Sequence, residues 1–169
     1  MLPDFIHLRL HSEYSITDGI VRIDKAVARA RDDGQPALAV TDLGNVFGLV
    51  KFYQAARKGG IKPLLGADIW VGNPQEPDEA SRLLLLCRTN AGYRQLCELL
   101  SRGALWPGRR ERVVLDPAWF RELGCDGLIA LSSAADGDVD IGAAGDDRIG
   151  IGAFGVNRPH LDARQAGGG

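Results

Sequence analysis

Three short runs built almost wholly of apolar residues, 36–41, 63–71 and 82–88, alternate with segments whose apolar residues recur at helical spacing. A run without a polar face is buried on both sides, the condition of a strand in a sheet covered by helices. Strands separated by helical segments read as right-handed βαβ units. The expectation is an α/β chain with mostly parallel strands, open or closed into a barrel. In such sheets the chemistry collects in loops beyond the carboxyl ends of the strands. His11, Asp18, Asp42 and Asp68 fall at or just past such ends.

The remaining elements follow from periodicity and punctuation. Over residues 5–10, Ile6, Leu8 and Leu10 alternate with His7 and Arg9, which predicts a strand with one buried face. A polar turn over 11–19 leads to Ile23, Ala26, Val27 and Ala30, a helical stripe stopped by Gly34. Val46, Leu49, Val50, Tyr53 and Ala56 predict a second helix over 47–57, closed by Lys58, Gly59 and Gly60. Prolines and acidic side chains make 72–80 a solvated loop. Thr89 or Asn90 caps a helix running to about Arg102, with Tyr93, Leu96, Cys97 and Leu100 as its stripe. Asp116 followed by Pro117 opens a short helix before a strand over 127–131.

Beyond Asp136 the pattern fails. Gly137, Gly142, Gly145, Gly150, Gly152 and Gly155 interrupt every periodic run, so no helix or strand is expected there. The chain divides into a folded part, 1–135, and a glycine-rich irregular tail, 136–169, expected to be disordered or read out of frame. Gly150-Ile151-Gly152-x-x-Gly155 has the spacing of a dinucleotide fingerprint, but no helical pattern follows it.

Composition sets limits on function. With 45% hydrophobic and 25% charged residues, 169 residues suit one soluble domain. A net charge of -2 gives no overall attraction to a polyanion. A local basic patch, Arg109, Arg110 and Arg112 near Trp106, is interrupted by Glu111 and reads as a solvated loop. Cys87, Cys97 and Cys125 are odd in number and widely spaced, which predicts reduced, buried thiols. No leader pattern and no long apolar run is present, so a cytoplasmic location without membrane contact is expected.

Four blocks carry a resemblance. They are His7-Leu8-Arg9-Leu10-His11-Ser12-Glu13-Tyr14-Ser15 with Asp18-Gly19; Ala37-Leu38-Ala39-Val40-Thr41-Asp42-Leu43-Gly44-Asn45 with the run from Phe47 to Tyr53; Gly60-Ile61-Lys62-Pro63-Leu64-Leu65-Gly66-Ala67-Asp68; and Leu84-Leu85-Leu86-Cys87-Arg88 leading into Gly92-Tyr93-Arg94-Gln95-Leu96. In order and spacing they resemble the strand-end motifs of the PHP domain of bacterial DNA polymerase III alpha subunits, from about Ile6 to Ser132. The resemblance implies an incomplete, distorted βα barrel of PHP type.

Metal-binding members of that family are similar to phosphoesterases and hold two or three ions at the strand ends through histidines and carboxylates. Such ions activate water and clamp phosphate oxygens. Here Arg9 stands in the first histidine position, Leu43 replaces a second, Asp68 replaces a glutamate and Arg82 replaces a further histidine. His11, Asp18 and Asp68 are the remnant metal-site positions, and Arg9, Leu43 and Arg82 the substituted ones. Two permanent cations where an ion's charge would sit repel a metal and pair with carboxylates. A salt-bridged pocket is expected, with no metal bound, no cofactor held by this portion and no catalytic residue in the chain.

The resemblance further implies a structural and partner-docking portion of a replicative DNA-directed DNA polymerase. The implied partners are the rest of the alpha subunit and a separate 3'-5' exonuclease subunit, with DNA reached only through the full-length protein. Magnesium would serve the full polymerase, whose paired catalytic carboxylates need a palm domain that 169 residues do not accommodate. The alternative is a free-standing metal-dependent phosphoesterase of the PHP superfamily; it needs a filled ligand set, against which Arg9, Leu43 and Arg82 speak. Plainer roles stand beside these: Asp42 as a turn cap, His7 on a solvated strand face, and Glu13 and Tyr14 ordering the first loop.

Overall fold

A computed structural model describes residues 5–72, 78, 80–106, 112–132, 139–141 and 154–156. The chain runs α1 (Ile23–Asp32), β1 (Ala37–Val40), α2 (Leu49–Lys58), β2 (Lys62–Val71), β3 (Ser81–Cys87), α3 (Asn90–Leu105), β4 (Val114–Leu115), α4 (Pro117–Leu123) and β5 (Leu128–Ser132). The sheet has the order β1-β2-β3-β5, with β4 also beside β2.

Four of the five strands of this sheet point the same way, and β3 alone is reversed. β2 runs parallel to β1 and β4, whereas β3 is antiparallel to both β2 and β5. The sequence holds the reason: only 72–80 lie between β2 and β3, too few residues for the crossover that a parallel neighbour demands. The expectation for 5–10 needs correction. This segment runs alongside β1 but forms no regular strand. The N–H groups of Ala39 and Thr41 donate to the carbonyls of His7 and Leu10, two residues apart on one side and three on the other. That mismatch breaks the ladder, and Thr41 Oγ1 accepts the Leu10 N–H (3.0 Å) in place of a backbone carbonyl.

Two clusters of buried side chains lie under the helices. Ile23 and Val27 of α1 and Phe52 of α2 pack on Leu38 and Val40 of β1. Leu96 and Leu99 of α3 and Phe120 of α4 pack with Ile69, Leu83, Leu85 and Leu115 from the strands. Each fully buried aliphatic side chain contributes roughly 1.5–3 kcal/mol. The leucine run of β3 is buried at every position from Ser81 to Leu86, as its lack of a polar face predicts.

The expected caps form: Thr89 Oγ1 accepts the Gly92 N–H (3.1 Å), and Asp116 Oδ1 accepts the Ala118 N–H (2.8 Å) with Pro117 opening α4. α3 continues past Arg102 through Gly103, which packs so closely on β4 that a Cβ there would lie 2.6 Å from the Leu115 side chain. Within the tail, Val139–Ile141 and Phe154–Val156 pair as an antiparallel ribbon, β6 and β7, where no strand was expected. Each has β-branched or aromatic residues on either side of a single residue, a pattern too short to register amid the glycines. The boundary at 135, the fingerprint's first two glycines and most of the tail lie outside the described residues. No described helix is long and apolar enough to cross a membrane.

Candidate functional site

Asp68 lies in β2 where that strand has left β1 and begins to pair with β3. Its carboxylate is buried, yet four donor atoms reach it. Arg82, from the facing strand, donates Nε to Oδ1 (3.1 Å) and Nη2 to Oδ2 (2.7 Å). Arg9 forms an ion pair with Oδ2, and His11 Nε2 donates to the same oxygen at 3.1 Å. Burial alone would raise the Asp68 pKa, but the bonds from His11 and Arg82 and the two guanidinium charges outweigh it and hold it at about 2.

His11 links this carboxylate to the first loop. Its Nδ1 faces Asp18 Oδ2 at 2.8 Å while Nε2 faces Asp68, so both nitrogens act as donors only when the ring is cationic. The bond to Asp68 is the main reason its pKa is raised, against the opposing effect of burial. Asp18 is completed by the Ser15 hydroxyl (2.6 Å); the bonds from Ser15 and His11 overcome burial and lower its pKa.

Asp42 does not cap the following turn. It reaches back across the fold to accept the Ser12 N–H (2.6 Å) and the Ser12 hydroxyl (2.9 Å), so this buried carboxylate fixes the start of the first loop. Burial raises its pKa. Ser15 ties the same loop to the next strand end by accepting the Leu43 N–H (2.9 Å). Glu13 pairs with Lys51 of α2 (2.8 Å), whose ammonium also lies 5.3 Å from the Tyr14 ring centroid. His7 is exposed and meets the Phe5 ring edge-on.

The fold therefore gathers five of the six flagged positions, Arg9, His11, Asp18, Asp68 and Arg82, into one network. The sixth, Leu43, joins through its backbone, which bridges to Asp68. Sequence reasoning missed Trp70. Its ring centroid lies 4.8 Å from the guanidinium carbons of both Arg82 and Arg112. Arg112 also reaches Asp78 (3.4 Å), while Arg109, Arg110 and Glu111 lie outside the described residues. Period-two spacing places Trp70 on the Asp68 side of β2, and that was the available signal.

A groove of about 390 Å³ opens beside Asp68, lined by Phe5, His7, Arg9, Leu84, Leu131 and Ser132. This arrangement does not fit a metal ion. Three cationic side chains already occupy Asp68 Oδ2, two of them incapable of releasing a proton. Among the described residues no group of three or more histidine, cysteine or acidic side chains is placed to hold one. The cysteines are free and half-buried, and burial pushes the Cys87 thiol up to about 11, so it is protonated at neutral pH.

Residues 7–151 match the PHP domain family, and the chain belongs to it. The chain is also similar to bacterial DNA polymerase III alpha subunits. It is 50% identical over 135 residues to DNA polymerase III subunit alpha of Neisseria meningitidis serogroup A, a match covering 78% of this chain and 12% of that one. The corresponding protein of Escherichia coli K12 is 43% identical over 136 residues, covering 77% and 11%. The chain thus spans about an eighth of the length of these curated relatives. A solved structure from Bifidobacterium adolescentis, assigned as a metal-dependent phosphoesterase, is similar at 18% identity and a TM-score of 0.46, over 61% of this chain and 34% of that one.

Proposed function

We propose that this chain is the PHP portion of a replicative DNA-directed DNA polymerase, that its role there is structural and partner-docking, and that its ancestral metal site is eroded. The neutralisation of Asp68 by Arg9, Arg82 and His11 carries this reading. Both carboxylates of the network are compensated by protein cations, so the fold is held at the strand ends where a metal phosphoesterase would place its ions. Catalysis, with its magnesium, would belong to the full-length protein, and the partners would be the rest of the alpha subunit and a separate 3'-5' exonuclease subunit. A cytoplasmic location follows from that role.

The sheet is read as part of a distorted βα barrel. Support comes from the groove beside Asp68, where residues from opposite ends of the sheet, His7 and Arg9 beside β1 and Leu131 and Ser132 of β5, line one space. A flat sheet would keep those ends about four strand spacings apart, roughly 19 Å.

Metal analysis after dialysis against manganese or zinc tests the reading, paired with hydrolysis of a chromogenic phosphate ester in manganese. The expected outcome is less than stoichiometric metal and no turnover. One tightly held ion per chain with metal-dependent hydrolysis would instead establish the free-standing phosphoesterase.

A further inference from the structure

We propose that residues 5–10 form a strap over the outer edge of β1, latched by Arg9, whose release opens that edge. The segment lies on the side of β1 opposite β2, so it covers the edge of the sheet. Its backbone attachment is sparse. The carbonyls of His7 and Leu10 take the Ala39 and Thr41 N–H groups, and the Leu10 N–H goes to a threonine side chain. Bonds without a regular ladder lack the cooperativity that makes a strand open only with the whole fold. Apolar burial is concentrated at one end, where Leu10 packs against the core, while Phe5 is 61% and Leu8 41% exposed.

One end of the strap is fixed. Ser12 is fully buried, bonded to Asp42 through both its N–H and its hydroxyl, and bridged to Val21. The latch is Arg9. Asp68 already receives two bonds from Arg82 and one from His11, so its charge stays compensated without a third cation. What the Arg9 pair alone supplies is a tie between residue 9 and β2. The side chains match that role, with Arg9 44% exposed and Asp68 2% exposed, so the guanidinium can leave for water while the carboxylate keeps its other donors. Lifting 5–10 about His11, which Asp18 and Asp68 hold in place, frees the Ala39 and Thr41 N–H groups and removes one wall of the groove whose other wall is Leu84, Leu131 and Ser132.

Amide hydrogen exchange resolved by residue, on the full chain and on Arg9→Ala, tests this. The variant is expected to exchange about tenfold faster at Ala39 and Thr41, the scale of losing one charged hydrogen bond. The β2–β3 ladder amides are expected to keep wild-type rates. Unchanged protection at Ala39 and Thr41 would overturn the latch. A uniform acceleration across both sites and the β2–β3 ladder would equally overturn it, because the segment would then open only with the whole sheet.

Discussion

Trp70 and Arg82 face each other across the antiparallel β2–β3 pair, and the Arg82 guanidinium carbon lies 4.8 Å from the Trp70 ring centroid while its nitrogens hold Asp68. One buried side chain thus serves a carboxylate and an aromatic ring on the neighbouring strand. A planar guanidinium stacks and forks at once, which an ammonium does not.

Arg82→Ala removes both the fork and the stack. Asp68 retains His11 and Arg9, so the loss is expected to be about 2–4 kcal/mol, near the low end for breaking a buried pair. Arg82→Lys restores the charge without the fork and is expected to recover only part of it. Urea unfolding of the three proteins at neutral pH measures both effects, and a Lys variant equal to wild type would deny the geometry any role.

The same network fixes a pH window. The Asp68 pKa is lowered from 3.8 to about 2, so its contribution to stability is complete above the ordinary carboxylate range and is lost as pH falls towards 2. The His11 pKa is raised from 6.5, so its contribution is complete below that value and is lost as pH rises through the elevated one. Asp42 acts in the opposite sense: burial raises its pKa, so its ionisation subtracts stability. The urea midpoint is expected to be highest between about pH 4 and 6.5. Asp68→Asn is expected to flatten the acid limb; an unaltered limb would place the acid sensitivity elsewhere.

Gly92→Ala is expected to destabilise by at least about 3 kcal/mol, the scale of severe overpacking. A Cβ at Gly92 would lie 1.8 Å from the Gly127 carbonyl oxygen, so the first turn of α3 and the residue before β5 would have to separate. That carbonyl also accepts the Arg88 N–H (2.8 Å), so the shift would disturb the end of β3. Thermal unfolding of the variant gives the magnitude, and a change below 1 kcal/mol would mean the contact relaxes freely.

Local features of this chain are fixed by its residues. The apolar runs of β1 and β3 bury as strands because they have no polar face, Thr89 and Asp116 start their helices because their side-chain oxygens accept free N–H groups, and the motif blocks contain Arg9, His11, Asp18 and Asp68, four of the five residues of the network. Partner choice was decided only in three dimensions. Residues 5–10 have the alternation of a strand, but pairing requires equal spacing on both sides, and β1 offers two residues against three. β4 is two residues long and carries no period at all; it exists because β2 supplies an edge beside it. Asp42 reads as a local cap until the fold brings Ser12, 30 residues earlier, within 2.6 Å. Electrostatic partners of this kind are separated by tens of residues in sequence and by one hydrogen bond in space, so only the packed chain assigns them.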